Sequence, residues 1–392
     1  MKKNVFLLIL FIVSHLTIYA KHTTVVVSLD GFRWDYTAFY TTPMLDYMAE
    51  HGVESGLIPS FPSKTFPNHY TMATGLYPDH HGIIANSFYD AETKESFSLN
   101  NTEQKMNPKY YDGEPIWITA KKQGLKTAVF YWPGSDVKIQ GMYPDVFFVY
   151  DQKPRLTFKE RIDGVLGQLR KAESERPELI MAYMNEPDKS GHNYGPHSIQ
   201  TRQAVMMVDS LIKYLYEGIQ FLGLANEVNL LVVSDHGMTW VDQTHVVDVS
   251  KYLDKQWYES IKGNTPANIY VKKGCAKKVY KALQGIDHIR VWMKEDVPEY
   301  LHYGKNQRVG DIVVMPDVGY VVHDDEIKAG GTHGYDPTLQ DMHALFRAIG
   351  PDVYHAQIPH FPNVNIYSLI CKLLGITPAP NDGTLPFDVN TK

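Results

Sequence analysis

Cysteine is scarce in this sequence, whose 392 residues include only Cys275 and Cys371. Two cysteines permit one disulfide at most, which excludes a fold held together by several disulfides. Neither cysteine has a partner at the spacing of a zinc-binding motif, so we expect both to be structural. A metal site in this chain is therefore expected to use nitrogen and oxygen ligands.

Long hydrophobic runs are also missing. After Lys21 no window reaches the about 20 apolar residues that a transmembrane helix needs. Residues 1–20 contain two lysines, an apolar run from Val5 to Val13, and Ala20 at the end, which is typical of a cleaved signal peptide. The sequence therefore predicts a periplasmic or secreted protein. An uncleaved anchor is the alternative, whereas a lipid anchor is disfavoured because no cysteine follows the run.

An excess of positive charge is missing as well. The formal net charge is −6, and removing the two lysines of the signal peptide makes it −8. Polymeric nucleic acid is not an expected partner, because it requires a basic surface. A small anionic substrate would need local positive charge, for which metal ions are the obvious source. For the oligomeric state, we expect a monomer.

Four apolar, β-branched runs predict buried strands, and helical patterns alternate with them. The strands are predicted over Thr23–Leu29, Leu125–Trp132, Leu179–Met184 and Glu227–Ser234. This alternation predicts an α/β three-layer sandwich, a mostly parallel central sheet flanked by helices, as one catalytic domain over residues 21–392. Tighter alternation over about 260–325 predicts a small antiparallel subdomain or edge extension. Polar residues 91–111 are interpreted as a surface loop.

Candidate metal ligands follow three of the predicted strands and one glycine-rich loop. They are Asp30; Asp188 and His192; Asp235 and His236; and His333. Carboxyl ends of parallel strands meet at one sheet edge, where α/β proteins place their sites, and Asp with His is compatible with zinc. Each residue alone has an ordinary alternative, such as a turn or a capping role. The spacing of Asp188 and His192 fits a loop as well as one helix face.

A threonine stands where a helix is expected to begin. The stretch FPSKTFPNHYTMATGL places Thr65 before a proline and an uninterrupted run that ends at Gly75. Threonine is a preferred N-cap and proline fits a first helical turn. Free N–H groups and the helix dipole at such a position also favour a bound phosphate. Thr65 is therefore either a cap or a nucleophile that attacks phosphorus.

Five blocks, in order, carry a resemblance to a known family: SLDGFRWDY, FPSKTFPNHYTMATGLYPDHHGI, YMNEPDKSGHNYGP, VVSDHGM and GGTHGYD. The chain resembles the nucleotide pyrophosphatase/phosphodiesterase family of the alkaline phosphatase superfamily, in a minimal bacterial-type form. The resemblance runs from about Thr23 to the C-terminus, without the cysteine-rich modules and nuclease-like tail of larger animal relatives. It implies two zinc ions, one held by Asp30, Asp235, His236 and the Thr65 oxygen, the other by Asp188, His192 and His333.

The resemblance also implies a reaction and a substrate. Thr65 would form a covalent phospho-threonine, and water would then release a nucleoside 5′-monophosphate. Asn86 and the Thr65 N–H would bind a non-bridging phosphate oxygen. Phe66 and Tyr183 would stack on the nucleobase, with core packing as their alternative. Lys64 would meet a distal phosphate or else be solvated.

Other substrates and roles remain as alternatives. The same site would serve a choline or lipid phosphodiester, although no aromatic cage for a quaternary ammonium is recognisable in the sequence. A phosphomonoesterase is less expected, because no arginine lies between Phe61 and Asp90. An inactive binding protein would lack a ligand or the nucleophile, and neither is missing. Arg33 is expected to brace its loop by a salt bridge, and His69, His80 and His81 are expected to be structural.

Overall fold

The computed structural model of the chain describes residues 22–322 and 329–390, so the predicted signal peptide lies outside the described residues. The α-helices are α1 (Tyr36–Phe39), α2 (Pro43–His51), α3 (Thr65–Thr74), α4 (Pro78–His81), α5 (Thr102–Lys105), α6 (Ile116–Lys122), α7 (Phe158–Leu169), α8 (Asp188–Tyr194), α9 (Ile199–Phe221), α10 (Ala276–Leu283) and α11 (Asn365–Leu374). Short 3-10 helices span Pro108–Tyr110, Glu173–Glu175, Val249–Tyr252, Lys294–Asp296, Glu299–Leu301 and Gln340–Met342. In these described ranges, no helix has the length and apolar character needed to cross a membrane.

The strands are β1 (Thr23–Leu29), β2 (Val53–Ile58), β3 (Ser87–Asp90), β4 (Glu95–Ser98), β5 (Thr127–Phe130), β6 (Val146–Phe147), β7 (Leu179–Met184), β8 (Val228–Val233), β9 (Thr239–Val241), β10 (Val246–Val247), β11 (Tyr258–Lys262), β12 (Ala267–Val271), β13 (Ile289–Met293), β14 (Ile312–Pro316), β15 (Val321–Val322), β16 (Gly330–Thr332), β17 (Ala344–Ile349), β18 (Ala356–Gln357) and β19 (Phe361–Pro362). The central sheet has the order β18-β2-β17-β8-β1-β7-β5-β6, and β19 also pairs with β2. Only β17 runs against the others in this sheet.

Strand β1 lies at the centre of the sheet and explains the layered architecture. All its residues are buried, and it pairs in parallel with β7 on one side and β8 on the other. Val25 and Val27 pack with the apolar side chains of α2, α7 and α9, whereas Val26 packs with those of α3, α6 and α11. Burying each such side chain contributes about 1.5–3 kcal/mol, so both faces must be covered. The predicted α/β sandwich is confirmed.

A small antiparallel sheet, β11-β12-β14-β13, stands beside the central sheet and carries helix α10. It has its own apolar cluster, in which Ile269 and Val314 pack with Val279 and Leu283 of the helix. The sequence places this unit at about 260–325, and its strands span 258–316. Cys275 and Cys371 are both free thiols.

The interpretation of residues 91–111 as a surface loop is wrong. This segment contributes β4, which pairs with β3 as a hairpin, and the short helix α5. Phe97 is fully buried and stacks on Phe88 with ring centroids 4.6 Å apart, and Tyr110 is buried beside them. Strands of four residues are too short to show a clear alternation of apolar and polar positions, which is why the pattern is hard to recognise.

Asp79 fixes the long connection between β13 and β14 to helix α4. Its carboxylate accepts the N–H groups of Gly304, Lys305 and Asn306, at 3.0, 2.7 and 3.1 Å. We expect Asp79→Ala to lower the free energy of unfolding by about 2–4 kcal/mol, because buried donors lose their acceptor. Urea unfolding followed by circular dichroism measures this loss. The exposed Asp287→Ala is the matched control, and an equal loss in both variants would contradict this role.

Candidate metal and phosphate site

The carboxyl ends of three adjacent parallel strands bring the acidic residues together. Asp30 follows β1 and Asp235 follows β8, while Asp188 begins α8 shortly after β7. The N–H of Asp188 donates to the carbonyl oxygen of Asp30 at 2.9 Å. The N–H of Gly31 donates to Asp235 Oδ1 at 3.1 Å. The backbone itself therefore holds the three carboxylates at one edge.

Helix α8 and strand β16 bring in two histidines. Asp188 and His192 lie on one helix face, which resolves the alternative of a looped arrangement. His192 Nε2 lies 3.3 Å from Asp188 Oδ1 and 3.0 Å from His333 Nε2. A Cβ on Gly331 would lie 2.5 Å from the carbonyl oxygen of Gly191, so glycine is needed for β16 to approach the helix.

Two further glycines permit close packing around the carboxylates. Gly31 has φ +67°, and a Cβ there would lie 2.7 Å from Asp188 Cβ. At Gly237 a Cβ would lie 2.0 Å from the carbonyl oxygen of Asp341. Gly237 therefore admits a neighbouring carbonyl group that any side chain would exclude.

All three candidate histidine ligands use Nδ1 for a backbone hydrogen bond. Nδ1 pairs with the carbonyl oxygen of Gly331 in His192 (2.8 Å), of Gly237 in His236 (2.8 Å) and of Ser63 in His333 (2.7 Å). A carbonyl accepts only from a protonated Nδ1, so each neutral ring keeps a lone pair on Nε2. Such carbonyl contacts are the usual way of orienting a metal-binding histidine.

Three carboxylate oxygens in this region have no hydrogen-bond partner although they are buried. They are Asp30 Oδ1, Asp188 Oδ1 and Asp235 Oδ2. An uncompensated buried carboxylate is costly unless it is paired or binds a metal. Asp188, His192 and His333 form one group whose ligand atoms lie within 4.8 Å of one another, and Asp30, Asp188 and His236 form a second. These residues therefore fit divalent cations, with Asp188 common to both groups.

The pKa values in this site are shifted by burial and by neighbouring charged groups. Burial, followed by the charges of Asp235 and Asp188, raises the pKa of Asp30 well above its ordinary value. Burial and the neighbouring His236 lower the pKa of His333 well below its ordinary value, so His333 is neutral at physiological pH. A cation would relieve the repulsion among the carboxylates, and a neutral imidazole is the form that binds metal.

The candidate nucleophile borders the second group. Helix α3 begins at Thr65, one residue earlier than expected, and Lys64 occupies the N-cap position. The Thr65 hydroxyl lies 3.3 Å from His236 Nε2, and His236 Nε2 lies 3.5 Å from Asp30 Oδ1. Residues Phe66 to Thr74 of the helix are buried, and Gly75 (φ 68°) ends it. The hydroxyl therefore sits on a rigid element.

Asn86 lies against the start of the same helix. Its Oδ1 accepts the N–H of Phe66 at 3.0 Å, which leaves the Nδ2 group as a donor. Among the hydrogen bonds between described residues, none uses the N–H of Thr65. The start of α3 therefore offers two donors, as a bound phosphate oxygen would require.

An aromatic cavity of about 380 Å³ opens beside Thr65, and both Phe66 and Tyr183 line it. Tyr183 is only 6% exposed, and its hydroxyl donates to Asp30 Oδ2 at 2.5 Å. Tyr183 therefore orients a candidate metal ligand as well as bordering the cavity. The stacking role that the resemblance implies for it stays a prediction.

Sequence reasoning missed one residue of this region. Tyr150 lines the aromatic cavity, and the guanidinium of Arg155 lies 3.9 Å from the centroid of its ring. The contacts of His69 agree with the structural role expected for it, because its Nδ1 contacts the carbonyl oxygen of Thr65 at 2.9 Å and its Nε2 contacts the Ser28 hydroxyl at 2.8 Å. Tyr150 follows a strand of only two residues, which is too short to show a periodic pattern in the sequence.

Two cationic side chains named from the sequence have clear partners. Arg33 pairs with Asp35 at 2.7 Å and Asp341 at 3.1 Å, so its predicted bracing role is confirmed. The ammonium group of Lys64 donates to the Thr265 hydroxyl at 2.7 Å and lies in a second, polar cavity. Burial lowers the pKa of Lys64 to about 7.

Sequence comparison relates this chain to phosphodiesterases and nucleotide pyrophosphatases. The sequence model of the family described as type I phosphodiesterase/nucleotide pyrophosphatase matches residues 24–336. Ectonucleotide pyrophosphatase/phosphodiesterase family member 1 of Homo sapiens is 38% identical over 380 residues, 92% of this chain and 41% of the relative. A venom phosphodiesterase of Crotalus durissus collilineatus is 36% identical over 92% of this chain and 45% of the relative. The chain thus spans less than half the length of these relatives.

Solved structures agree with this. Human ectonucleotide pyrophosphatase/phosphodiesterase 5 superposes with a TM-score of 0.88 at 34% identity, covering 94% of this chain and 100% of that chain. An inactive variant of the murine protein in complex with AMP gives a TM-score of 0.87 at 35% identity, covering 93% and 97%. The chain belongs to the type I phosphodiesterase/nucleotide pyrophosphatase family.

Proposed function

We propose that this chain is a two-zinc phosphodiesterase that cleaves nucleotide phosphodiester and pyrophosphate bonds to nucleoside 5′-monophosphates through a covalent phospho-threonine. The observation that carries the proposal is the Thr65 hydroxyl, 3.3 Å from His236 Nε2, beside buried carboxylate oxygens that accept no hydrogen bond. The AMP bound to the inactive murine relative supports a nucleotide substrate.

The ligand set favours zinc, because it combines imidazole nitrogens with carboxylate oxygens. Asp30, Asp235, His236 and the Thr65 oxygen would hold one ion, and Asp188, His192 and His333 the other. Bound zinc would supply Lewis acidity, lowering the pKa of the threonine hydroxyl and stabilising charge on the leaving oxygen. The Nδ1 hydrogen bonds to backbone carbonyls keep Nε2 of each histidine available as a ligand.

The chain's own residues perform the displacement. The Thr65 hydroxyl releases its proton to solvent and its oxygen bonds to phosphorus, while the bond from phosphorus to the leaving oxygen breaks and that oxygen keeps the electron pair. Water then attacks the phosphorus and the threonine oxygen departs, taking up a proton. The Nδ2 group of Asn86 and the N–H of Thr65 donate to a non-bridging oxygen, each worth about 3 kcal/mol in the transition state.

The aromatic cavity would hold the nucleobase. Phe66 and Tyr183 are the proposed stacking residues, and the ring of Tyr150 adds a further wall. Stacking contributes roughly 1–3 kcal/mol per base and tolerates every base, so we expect broad nucleotide use. In the polar cavity, Lys64 would meet the phosphate beyond the scissile bond.

A choline phosphodiester is the alternative that this cavity raises, because it combines aromatic rings with Asp136 and Asp151. Asp151, however, pairs with Lys105 at 2.6 Å and with Arg155 at 3.6 Å, so the cavity offers no excess of negative charge. A quaternary ammonium needs such an excess around its aromatic cage. The balance of charges therefore favours a nucleobase.

We expect the zinc-loaded protein to cleave the p-nitrophenyl diester of 5′-TMP at least about 100-fold faster than p-nitrophenyl phosphate or p-nitrophenyl phosphorylcholine. Thr65→Ala should lose about 1,000-fold or more in kcat, since the nucleophile is gone. Thr65→Ser, which keeps a hydroxyl, is the matched control and should retain measurable activity. If p-nitrophenyl phosphorylcholine were cleaved fastest, the assignment of nucleotides as substrates would be overturned. Equal rates for Thr65→Ala and the parent protein would overturn the assignment of Thr65 as the nucleophile.

Metal removal should lower stability as well as activity. Zinc in 100-fold excess over its Kd stabilises a site by about 2.7 kcal/mol, so the chelated protein should regain several degrees in Tm when zinc is added. His192→Ala should reduce the bound zinc from two ions to one, measured by mass spectrometry of the native protein. The matched control is the exposed His51→Ala, outside both ligand groups. Two ions retained in His192→Ala would refute this ligand assignment.

We also propose that residues 1–20 direct the protein to the periplasm or outside the cell and are then removed. The support is the order of the lysines, the apolar run and Ala20 in the sequence. Expression of the full chain in a bacterial host should yield a soluble periplasmic product whose first residue is Lys21. N-terminal sequencing and fractionation measure this. A product that begins at Met1 and stays with the membrane fraction would support the anchor instead.

A further inference from the structure

Helix α9 carries apolar side chains on two opposite faces. Its inner face packs against the central sheet, and Val205, Val208 and Ile212 are fully buried there. Phe221 is 90% exposed and Ile199 is 72% exposed, the two highest values for large hydrophobic side chains within residues 22–322 and 329–390. A helix that is apolar on both faces is normally covered on both of them. The outer face exposes four large apolar residues, Ile199, Met206, Tyr214 and Phe221.

The four exposed apolar residues lie on one side of the helix. They recur at intervals of seven, eight and seven residues. Because an α-helix has about 3.6 residues per turn, these intervals return to nearly the same direction each time. Exposed polar residues fill the gaps on the same side, and they are Gln203, Ser210 and Glu217. We name these seven residues the outer stripe.

The outer stripe is symmetric about Ser210. Its other residues form pairs at equal distances on either side, with four residues to Met206 and Tyr214, seven to Gln203 and Glu217, and eleven to Ile199 and Phe221. When two copies of a helix pack antiparallel about a twofold axis, residues equidistant from that axis face each other. An axis at Ser210 would therefore bring apolar residues against apolar ones and polar against polar. An unrelated partner would not require this symmetry.

A hollow beside Phe221 matches the projecting side chain of Ile199. Leu166 of α7 lines this open cavity of about 350 Å³ together with Tyr214 and Phe221. In the antiparallel arrangement, Ile199 of the partner subunit would lie over the hollow, and the same contact would occur twice. The ring of Tyr214 is already fixed, because its hydroxyl donates to Asp163 Oδ1 at 2.8 Å. A fixed aromatic side chain loses little entropy on association.

Charges beside the outer stripe favour the same pairing. Arg202 adjoins Gln203, which would face Glu217 of the partner subunit. Arg202 and Glu217 are both exposed, and within its own chain Glu217 lies 3.7 Å from Lys213. Opposite charges at the rim of an interface fix its register more than its affinity. A membrane surface fits this face less well, because the stripe contains a carboxylate and the net charge of the chain is negative.

We propose that two copies of this chain associate through the outer stripe, with their α9 helices antiparallel and a twofold axis at Ser210. This dimer replaces the monomer expected from the sequence. Helix α9 begins shortly after α8, which carries Asp188 and His192, and it ends before the start of β8 at the opposite edge of the sheet. The candidate metal sites of the two copies thus lie at opposite ends of the pair, and both remain open to substrate.

Sedimentation velocity of the protein without residues 1–20 measures the association. We expect a dimer with a Kd in the micromolar range or below. Phe221→Glu should raise this Kd by at least about 30-fold, because the interface would bury an unpaired charge. Tyr252→Glu is the matched control, since Tyr252 is 50% exposed on a 3-10 helix away from α9. This control should leave the Kd unchanged, and circular dichroism should show that both variants are folded.

Charge reversal and cross-linking test the register. Arg202→Glu should weaken the dimer, and adding Glu217→Arg should restore it. Helices that pack about 8–10 Å apart bring facing side chains within reach of a disulfide. In a Cys275→Ser background, mild oxidation should therefore link Ser210→Cys into covalent dimers on a non-reducing gel. The exposed Lys278→Cys on α10 is the matched control and should stay monomeric.

Three results would each overturn the proposal. The first is a monomer at every concentration up to about 100 µM. The second is a dimer that Phe221→Glu does not weaken, and the third is cross-linking of Ser210→Cys no greater than that of Lys278→Cys. If the protein instead stays monomeric and binds phosphatidylglycerol liposomes, and Phe221→Glu abolishes that binding, the outer stripe is a membrane surface and the dimer is refuted.

Discussion

The rest of the site depends on the unbalanced negative charge at the carboxyl edge of the sheet. Asp30, Asp188 and Asp235 each present a buried oxygen without a hydrogen-bond partner, and burial with mutual repulsion raises the pKa of Asp30. Such an arrangement is unfavourable for the apo chain. The surrounding fold is large and well packed, so it can tolerate this cost. A bound cation would replace the repulsion among the carboxylates by attraction.

The surrounding contacts hold the candidate ligands in fixed positions. Carbonyl oxygens fix the Nδ1 atoms of His192, His236 and His333, and the N–H of Gly31 fixes one oxygen of Asp235. The hydroxyl of Tyr183 fixes one oxygen of Asp30. One atom of each group is therefore already bonded, which limits the rotation of the side chain. Preorganisation of this kind keeps the ligands in place before an ion arrives.

Much of this could be predicted from the sequence, because buried parallel strands are continuous apolar runs and their ends are marked by polar residues. Asp30, Asp188 and Asp235 were found in this way, and the glycine-rich segment before His333 was recognised from its composition. The hairpin β3–β4 was missed because strands of four residues carry too little alternation. Tyr150 was missed because its place in the aromatic cavity depends on the tertiary fold alone.

The origins of the two cavities suggest how chemistry and selectivity are divided. Apart from His333, which follows β16, the candidate ligands and Thr65 stand on the central sheet and its flanking helices, where a shift of any strand would disturb the whole core. Part of the walls of the two cavities stands elsewhere: Leu99 and Asn100 follow the short hairpin, and the β11–β12 turn belongs to the small antiparallel sheet. That sheet has an apolar cluster of its own, so its surface residues can change at little cost to the central core. Substitutions in these walls can therefore alter which bonds are cleaved while the phosphate chemistry stays the same.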